Sequence, residues 1–307
     1  MKKIHPNRNF VEEYRKKEGR YSKHGFFRRL RQVRTWSPLI HLLLKATGLG
    51  QRGLVNAKAL AMTNEVIELQ NLPKGLDNCR ILLISDVHIE CFDGLVDKII
   101  DYIKDIECDY CILGGDYSLY ERYDIEKTKT EMKRIISNIK TDKIFGVLGN
   151  HDHYEMAQFL QSLGVCVLLN ENTVLDRGGD KIYLAGVDDC YVFDAADMQQ
   201  ASAGIPAEQF KIMLSHSPQL YKQAQRLGYN LYISGHTHGG QVCLPGGKAL
   251  IKGAKVPQSL AKGRWQYKNM TGFTSAGVGT SGRVMVRFFC RPEVNLLTLK
   301  CMDSDRQ

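Results

Sequence analysis

From residue 64 onward, short apolar runs recur between longer stretches of helical spacing. Glu65–Leu69, Arg80–Ser85, Tyr110–Leu113, Lys143–Leu148, Lys181–Ala185, Phe210–Leu214 and Tyr229–Ile233 are rich in Ile, Leu, Val, Tyr and Phe, and most are apolar at consecutive positions. Strands buried on both faces read this way. Helical stretches near 94–105, 125–139, 154–163 and 218–227 fall between several of these runs, which predicts an α/β chain with a largely parallel sheet. The tail breaks the alternation: Arg283–Cys290, then Pro292, then Val294–Leu299 reads as two more strands with no helix between them, and so as part of a second sheet.

The first 52 residues have a different texture. Residues 10–35 alternate Arg and Lys with Phe10, Val11, Tyr14, Tyr21, Phe26, Phe27, Leu30 and Val33, interrupted at Gly19 and Gly25, which predicts short basic amphipathic helices. Trp36–Gly48 then frames one apolar helix of about ten residues, opened near Pro38 and closed at Gly48. It is too short to cross a bilayer. Charge follows the same division: residues 1–52 carry 14 Lys/Arg against 3 Asp/Glu, leaving 28 against 30, so the leader is +11 and the remainder −2. We therefore expect a basic amphipathic segment over 1–52 and one domain over 60–302. A basic face followed by an apolar helix is what an interfacial anchor needs, because buried apolar area and attraction to anionic headgroups add. Packing of the helix on the domain's own flank and, least favoured, nucleic-acid binding are the alternatives. With no signal peptide, no span of membrane length and nine cysteines read as reduced thiols, the expected location is cytoplasmic, peripheral on the inner face of the cell membrane. Cys108-Asp-Tyr-Cys111 has metal or redox spacing, but it leads straight into a strand and has no second pair, so core packing is the better reading.

Five of the β-runs end alike, in a metal-capable side chain just past the last apolar residue: Ser85-Asp86-Val87-His88, Gly114-Gly115-Asp116, Gly149-Asn150-His151-Asp152, Ser215-His216-Ser217 and Gly235-His236-Thr237-His238. Taken singly each is weak, since a strand-terminal Asp is commonly a helix cap and a lone His is commonly a satisfied core residue. Together with His153, next after the third, they hold six of the nine histidines, and in an α/β sheet the carboxyl ends of strands are where ligands bind. Five such endings can converge on one spot although up to 152 residues separate them.

In this order the motifs resemble those of the calcineurin-like metallophosphoesterase family, over about residues 80–302. The resemblance implies a two-sheet αββα sandwich holding two divalent ions: Asp86, His88 and His238 on one, Asn150, His216 and His236 on the other, and Asp116 bridging. A donor set of imidazole, carboxylate and amide oxygen suits Mn²⁺, Fe²⁺ or Zn²⁺, with Mn²⁺ the expected activator. It further implies in-line attack on phosphorus by a hydroxide bridging the two ions, with His151 facing the leaving group and Asp152 orienting the His151 ring.

Gly235–Val242, Gly277–Ser281 and the ending Arg291–Leu299 resemble the YkuE-like branch of the family, which is similar to the UDP-2,3-diacylglucosamine diphosphatase of the lipid A pathway. The implied substrate is a phosphodiester or pyrophosphate of a phospholipid or nucleotide-lipid at an anionic membrane surface. A soluble or nucleic-acid diester, and a scaffold without activity, are the competing readings. The loop from Leu244 to Gln266 either folds over the site or stays a solvated loop; in the first case Lys248, Lys252, Lys255 and Arg264 are candidate substrate contacts. Glu90, close after the first metal motif, is expected to disfavour the most highly charged substrates.

Overall fold

In the computed structural model, residues 4–18, 44, 46–119, 124–281 and 285–302 are described. Twelve strands form two six-stranded mixed sheets among these residues. The first has the order β1 (Ala61–Leu69), β12 (Glu293–Cys301), β2 (Arg80–Ile84), β3 (Tyr110–Leu113), β4 (Ile144–Gly146) and β5 (Cys166–Val167). The second runs β10 (Gly263–Tyr267), β11 (Met270–Thr274), β9 (Leu231–Ser234), β8 (Lys211–Leu214), β7 (Asp180–Gly186) and β6 (Glu171–Arg177). Strands β2 to β5 are parallel to one another, as are β7, β8, β9 and β11.

The consecutive apolar positions now have two destinations each. Ile81 and Leu83 face the second sheet and pack with Ile112, Leu184, Ile212, Ile233 and Phe273, while Leu82 and Ile84 face outward. There they meet helices α3 (Leu95–Ile103), α4 (Ile125–Ile136) and α5 (Tyr154–Ser162) through Ile99, Ile103, Met132, Ile135 and Leu160. The outer face of the second sheet, with Met213 and Tyr232, is covered by the short helices α6 (Met198–Ala201) and α7 (Tyr221–Arg226). Four layers result, helix–sheet–sheet–helix, the sandwich that the motif resemblance implies.

The tail differs from expectation. Val294–Leu299 lies within β12, which inserts between β1 and β2, but residues 285–290 form no strand; Phe288 makes only an isolated bridge to Val242. Arg287 is the reason, because its fully buried guanidinium turns inward and donates to the carbonyls of Ala276, Gly277 and Gly279. The Leu244–Gln266 loop is also partly regular, as its end enters the β10–β11 hairpin.

The described part of the leader packs on the body. In helix α1 (Pro6–Glu18) Arg8 is fully buried, donates to both carboxylate oxygens of Asp188 and to the Asp152 carbonyl, and lies 3.9 Å over the Phe193 ring. Glu12 accepts from the Tyr154 amide. Helix α2 (Leu49–Ala57) seats Gly53 against Val286 and Phe288, where an added Cβ would collide. The basic helices expected beyond residue 18, and the Trp36–Gly48 helix apart from its last few positions, lie outside the described residues. No helix among the described residues is long and apolar enough to cross a membrane.

Candidate metal centre

The two sheets share one functional edge. Asp86 and His88 follow β2, Asp116 follows β3 and Asn150 follows β4, all from the first sheet; His216 follows β8, and His236 and His238 follow β9, from the second. Five of these seven have positive φ: Asp86 at 53°, His88 at 44°, Asp116 at 56°, His236 at 69° and His238 at 49°. Left-handed backbone at non-glycine residues is costly and gathers at functional sites, where it aims side chains that an extended strand end would send elsewhere. Close packing holds the turns: a Cβ at Gly149 would collide with Asp116 Oδ1, and one at Gly235 with Ser85 and Asp86.

The side chains converge in two buried triads, Asp86–His88–His238 and Asp116–His216–His236, the ligand atoms of each lying within 4.8 Å of one another. In the first, His88 Nε2 faces His238 Nε2 at 3.2 Å, and His238 Nε2 is 3.4 Å from Asp86 Oδ1. In the second, His236 Nδ1 faces His216 Nε2 at 3.2 Å. Asp116 Oδ2 links the two, 3.2 Å from His216 Nε2 and 3.7 Å from His88 Nε2. Two carbonyls fix the ring orientations, Ser118 O at 2.9 Å from His88 Nδ1 and Gly114 O at 2.8 Å from His216 Nδ1. With Nδ1 donating to a carbonyl, Nε2 is the nitrogen left for a cation.

Two divalent cations fit these residues. Asn150 Oδ1 is buried beside the centre without a hydrogen-bond partner in the protein, a rare state for an amide oxygen and the natural one for a ligand. Burial and the neighbouring His216 push His236 down to about 3, and burial, His88 and Arg287 push His238 well below the usual range, so both rings are neutral donors at physiological pH. Asp116 would be raised by burial alone, but His216 and His151 hold it well below the ordinary carboxylate range.

His216 has the opposite problem. Burial alone would lower it, but the Asp116 carboxylate raises it to about 10 in the metal-free protein. The ring is therefore protonated at pH 8, and a cation must displace that proton. Metal binding at pH 8 is expected to release about one proton per chain from this residue, with affinity weakening as pH falls. Calorimetric titration in two buffers of different ionisation enthalpy measures it; a buffer-independent heat would remove His216 from the ligand set.

His151 is partly exposed at the open side of the centre, its ring edge-on to His88 with centroids 5.1 Å apart and Nε2 4.0 Å from Asp116 Oδ2. Asp152 has a backbone role beside the ring-orienting one expected of it. Its Oδ2 accepts from the amides of Asp116 and Gly149 and its Oδ1 from that of Tyr117, so it ties two ligand loops together through backbone. Glu90 is likewise turned to structure, accepting from the Leu119 amide and the Thr128 hydroxyl. Among the candidate substrate contacts, Lys248 and Lys255 are exposed, Lys252 is spent on the Val256 carbonyl, and Arg264 is exposed on edge strand β10.

Three residues of the surroundings were not anticipated from sequence. Tyr191 stands edge-on to His236 with ring centroids 4.5 Å apart. Arg287 supports the Ala276–Gly279 turn and lies 3.3 Å from His238 Nδ1. Arg8 holds the Asp152 carbonyl from helix α1.

Residues 79–240 match the family model described as calcineurin-like phosphoesterase. The chain is 30% identical over 222 residues to a bovine transmembrane protein with metallophosphoesterase domain, covering 65% of this chain and 49% of that protein, so it spans about half the length of this relative. It is 28% identical over 265 residues to the Bacillus subtilis metallophosphoesterase YkuE, covering 82% of this chain and 90% of YkuE. With the Escherichia coli phosphodiesterase YaeI it shares 26% identity over 233 residues, covering 72% and 82% of the two chains.

Proposed function

Because the chain belongs to the calcineurin-like phosphoesterase family, as a hydrolase with side-chain groups able to hold two metal ions, we propose that it cleaves a phosphodiester or pyrophosphate bond in a membrane-associated nucleotide-lipid. UDP-2,3-diacylglucosamine is the substrate of this class that we favour, Mn²⁺ the activating ion and the inner face of the cell membrane the place of action. The observation that carries the hydrolytic reading is the pair of buried triads joined through Asp116 Oδ2, with the unpartnered Asn150 Oδ1 beside them. Two divalent cations bound there would activate water and hold the phosphoryl oxygens while negative charge builds on them.

The protein's own residues do the rest. His88, His216, His236 and His238 are held in place before substrate arrives, two of them by carbonyls, so little reorganisation is left for the reaction itself. His151, on the open side and outside both triads, is placed to protonate or stabilise the departing oxygen. The name of YaeI, a phosphodiesterase, supports a diester over a monoester. The resemblance of Gly235–Val242 and Gly277–Ser281 to the YkuE-like branch supports a lipid-linked substrate.

The test is hydrolysis of bis-p-nitrophenyl phosphate, p-nitrophenyl phosphate and UDP-2,3-diacylglucosamine by metal-stripped protein, with Mn²⁺, Mg²⁺ or Zn²⁺ restored singly. The expected result is Mn²⁺-dependent turnover with a strong preference for the UDP-lipid. Turnover of the soluble diester alone would sink the lipid assignment, and no turnover with any metal would sink the enzyme.

A further inference from the structure

From Gln209 to Pro292 the chain runs for 84 residues without one Asp or Glu while carrying 12 Lys or Arg. This stretch supplies three of the metal-centre histidines and the whole wall that follows them. Within it, residues 242–250 fold back as a tight hairpin, with Cys243 bridged to Ala249 and the Leu250 amide donating to the Val242 carbonyl. Alternation across such a pair separates its two faces. Cys243 and Ala249 point inward and pack with Ala276 and Cys290. Leu244 and Leu250 point outward and are 46% and 59% exposed.

Ile251 follows, 71% exposed, and Phe289, 59% exposed, adjoins the Phe288 bridge to Val242. Phe289 sits at φ 50°, a left-handed conformation that is strained for a bulky residue, yet its ring is left outside the core. The hairpin rests on the metal centre's own loop: a Cβ at Gly240, two residues after His238, would collide with Ala249 and come against the Ile251 carbonyl. Gly253 lies beside His236. Between the hairpin turn and Gln258–Leu260 is a groove of about 380 Å³ that carries Lys248 and Lys262 and begins at Gly239.

We propose that Leu244, Leu250, Ile251 and Phe289 form a lip that enters the surface of an anionic phospholipid bilayer, with the surrounding lysines on its headgroups. Exposed aliphatic and aromatic tips beside a cationic stretch, in which Lys248 is exposed and Lys262 is paired with Glu293, match such a surface in both respects, since apolar insertion and headgroup attraction add. A soluble polyanion would use the lysines and leave the four apolar side chains in water. The lip borders His236 and His238, so a headgroup held at the surface is presented to the metal centre without leaving the membrane. The proposal rests on the reading of a membrane-associated substrate, but the two fail separately, because vesicle binding is measured with no substrate present.

The experiment is co-sedimentation of the full chain with phosphatidylglycerol–phosphatidylcholine vesicles and with phosphatidylcholine vesicles. Binding at least tenfold stronger to the anionic vesicles is expected. Leu250→Asp with Ile251→Asp should lose that preference while turnover of bis-p-nitrophenyl phosphate stays unchanged. Unaltered partitioning of the double variant, or equal binding of the parent protein to both vesicles, overturns the proposal. So does a concentration-dependent dimer that the double variant abolishes in a protein that ignores vesicles, which would give the face to a second copy of the chain. Should the double variant misfold, Leu250→Trp reads the same contact: its emission should shift to the blue with anionic vesicles, and an unshifted spectrum is the contrary result.

Discussion

Asp116→Ala is expected to lose metal and turnover together. Among the described residues, Asp116 Oδ2 is the one carboxylate oxygen that approaches a histidine of each triad, at 3.2 Å from His216 and 3.7 Å from His88. Two divalent ions about 3.5–4 Å apart repel strongly, and a shared carboxylate is what offsets part of that repulsion. Without it the centre should retain fewer than two ions, and turnover should fall by roughly three orders of magnitude or more, about 4 kcal/mol of transition-state stabilisation. The alanine also removes the Oδ1 acceptor of the His151 amide, so Asp116→Asn is the companion variant. Asparagine can keep that hydrogen bond and the side-chain volume while losing the charge, and the same joint loss is expected of it. Elemental analysis of purified protein beside hydrolysis of a soluble diester makes the measurement. Full activity with two bound metals in either variant would overturn the site assignment.

His151→Ala should separate what Asp116→Ala joins. His151 belongs to neither triad and is partly exposed, so metal content should be unchanged. Turnover should nevertheless fall by roughly 10² to 10⁴, the range for loss of a positioned proton donor. The size of the loss should depend on the leaving group. p-Nitrophenolate and a phosphate are stable as anions and need little help, whereas an alkoxide leaving group draws heavily on a proton donor. A loss of equal size for all leaving groups would make His151 a charge stabiliser rather than an acid, and a loss of metal would make it a ligand.

The seven candidate ligands could be picked out in the sequence because each comes just after a short apolar run, and such runs end at the edge of the sheet where ligands collect. Their backbone strain could not be read: nothing in Asp86-Val87-His88 announces positive φ at both ends. Arg287 was hidden for a related reason. Set in Val284-Met-Val-Arg-Phe-Phe, it looks like the polar position of a strand, and only the cluster of carbonyls waiting at Ala276–Gly279 turns it inward. The backbone part played by Asp152 was equally hidden, because the amides of Asp116, Tyr117 and Gly149 that its oxygens accept from are brought to it by the fold. Strands β6 and β10 are edge strands with polar alternation, Glu171–Arg177 and Gly263–Tyr267, and lack the continuous apolar runs that marked the buried ones. Arg8 is one of 14 basic residues in a leader read as amphipathic and interfacial, and its burial depends on Asp188, 180 residues away.

Strand β12 lies between β1 and β2, pairing Ala61 with Glu293 in parallel and Leu83 with Asn295 in antiparallel. During synthesis, at roughly 5–20 residues per second, β1 must therefore wait about 10–50 s after it is made for β12, its one sheet neighbour among the described residues, to appear. Until then β2 also lacks one flank, and the Ser275 hydroxyl and Ala276 amide lack Asn295 and Glu293, their partners on β12. The metal centre's supporting turn is thus finished by a segment made after every candidate ligand, and a nascent chain stalled before residue 293 would carry all seven of them without the first sheet closed around them.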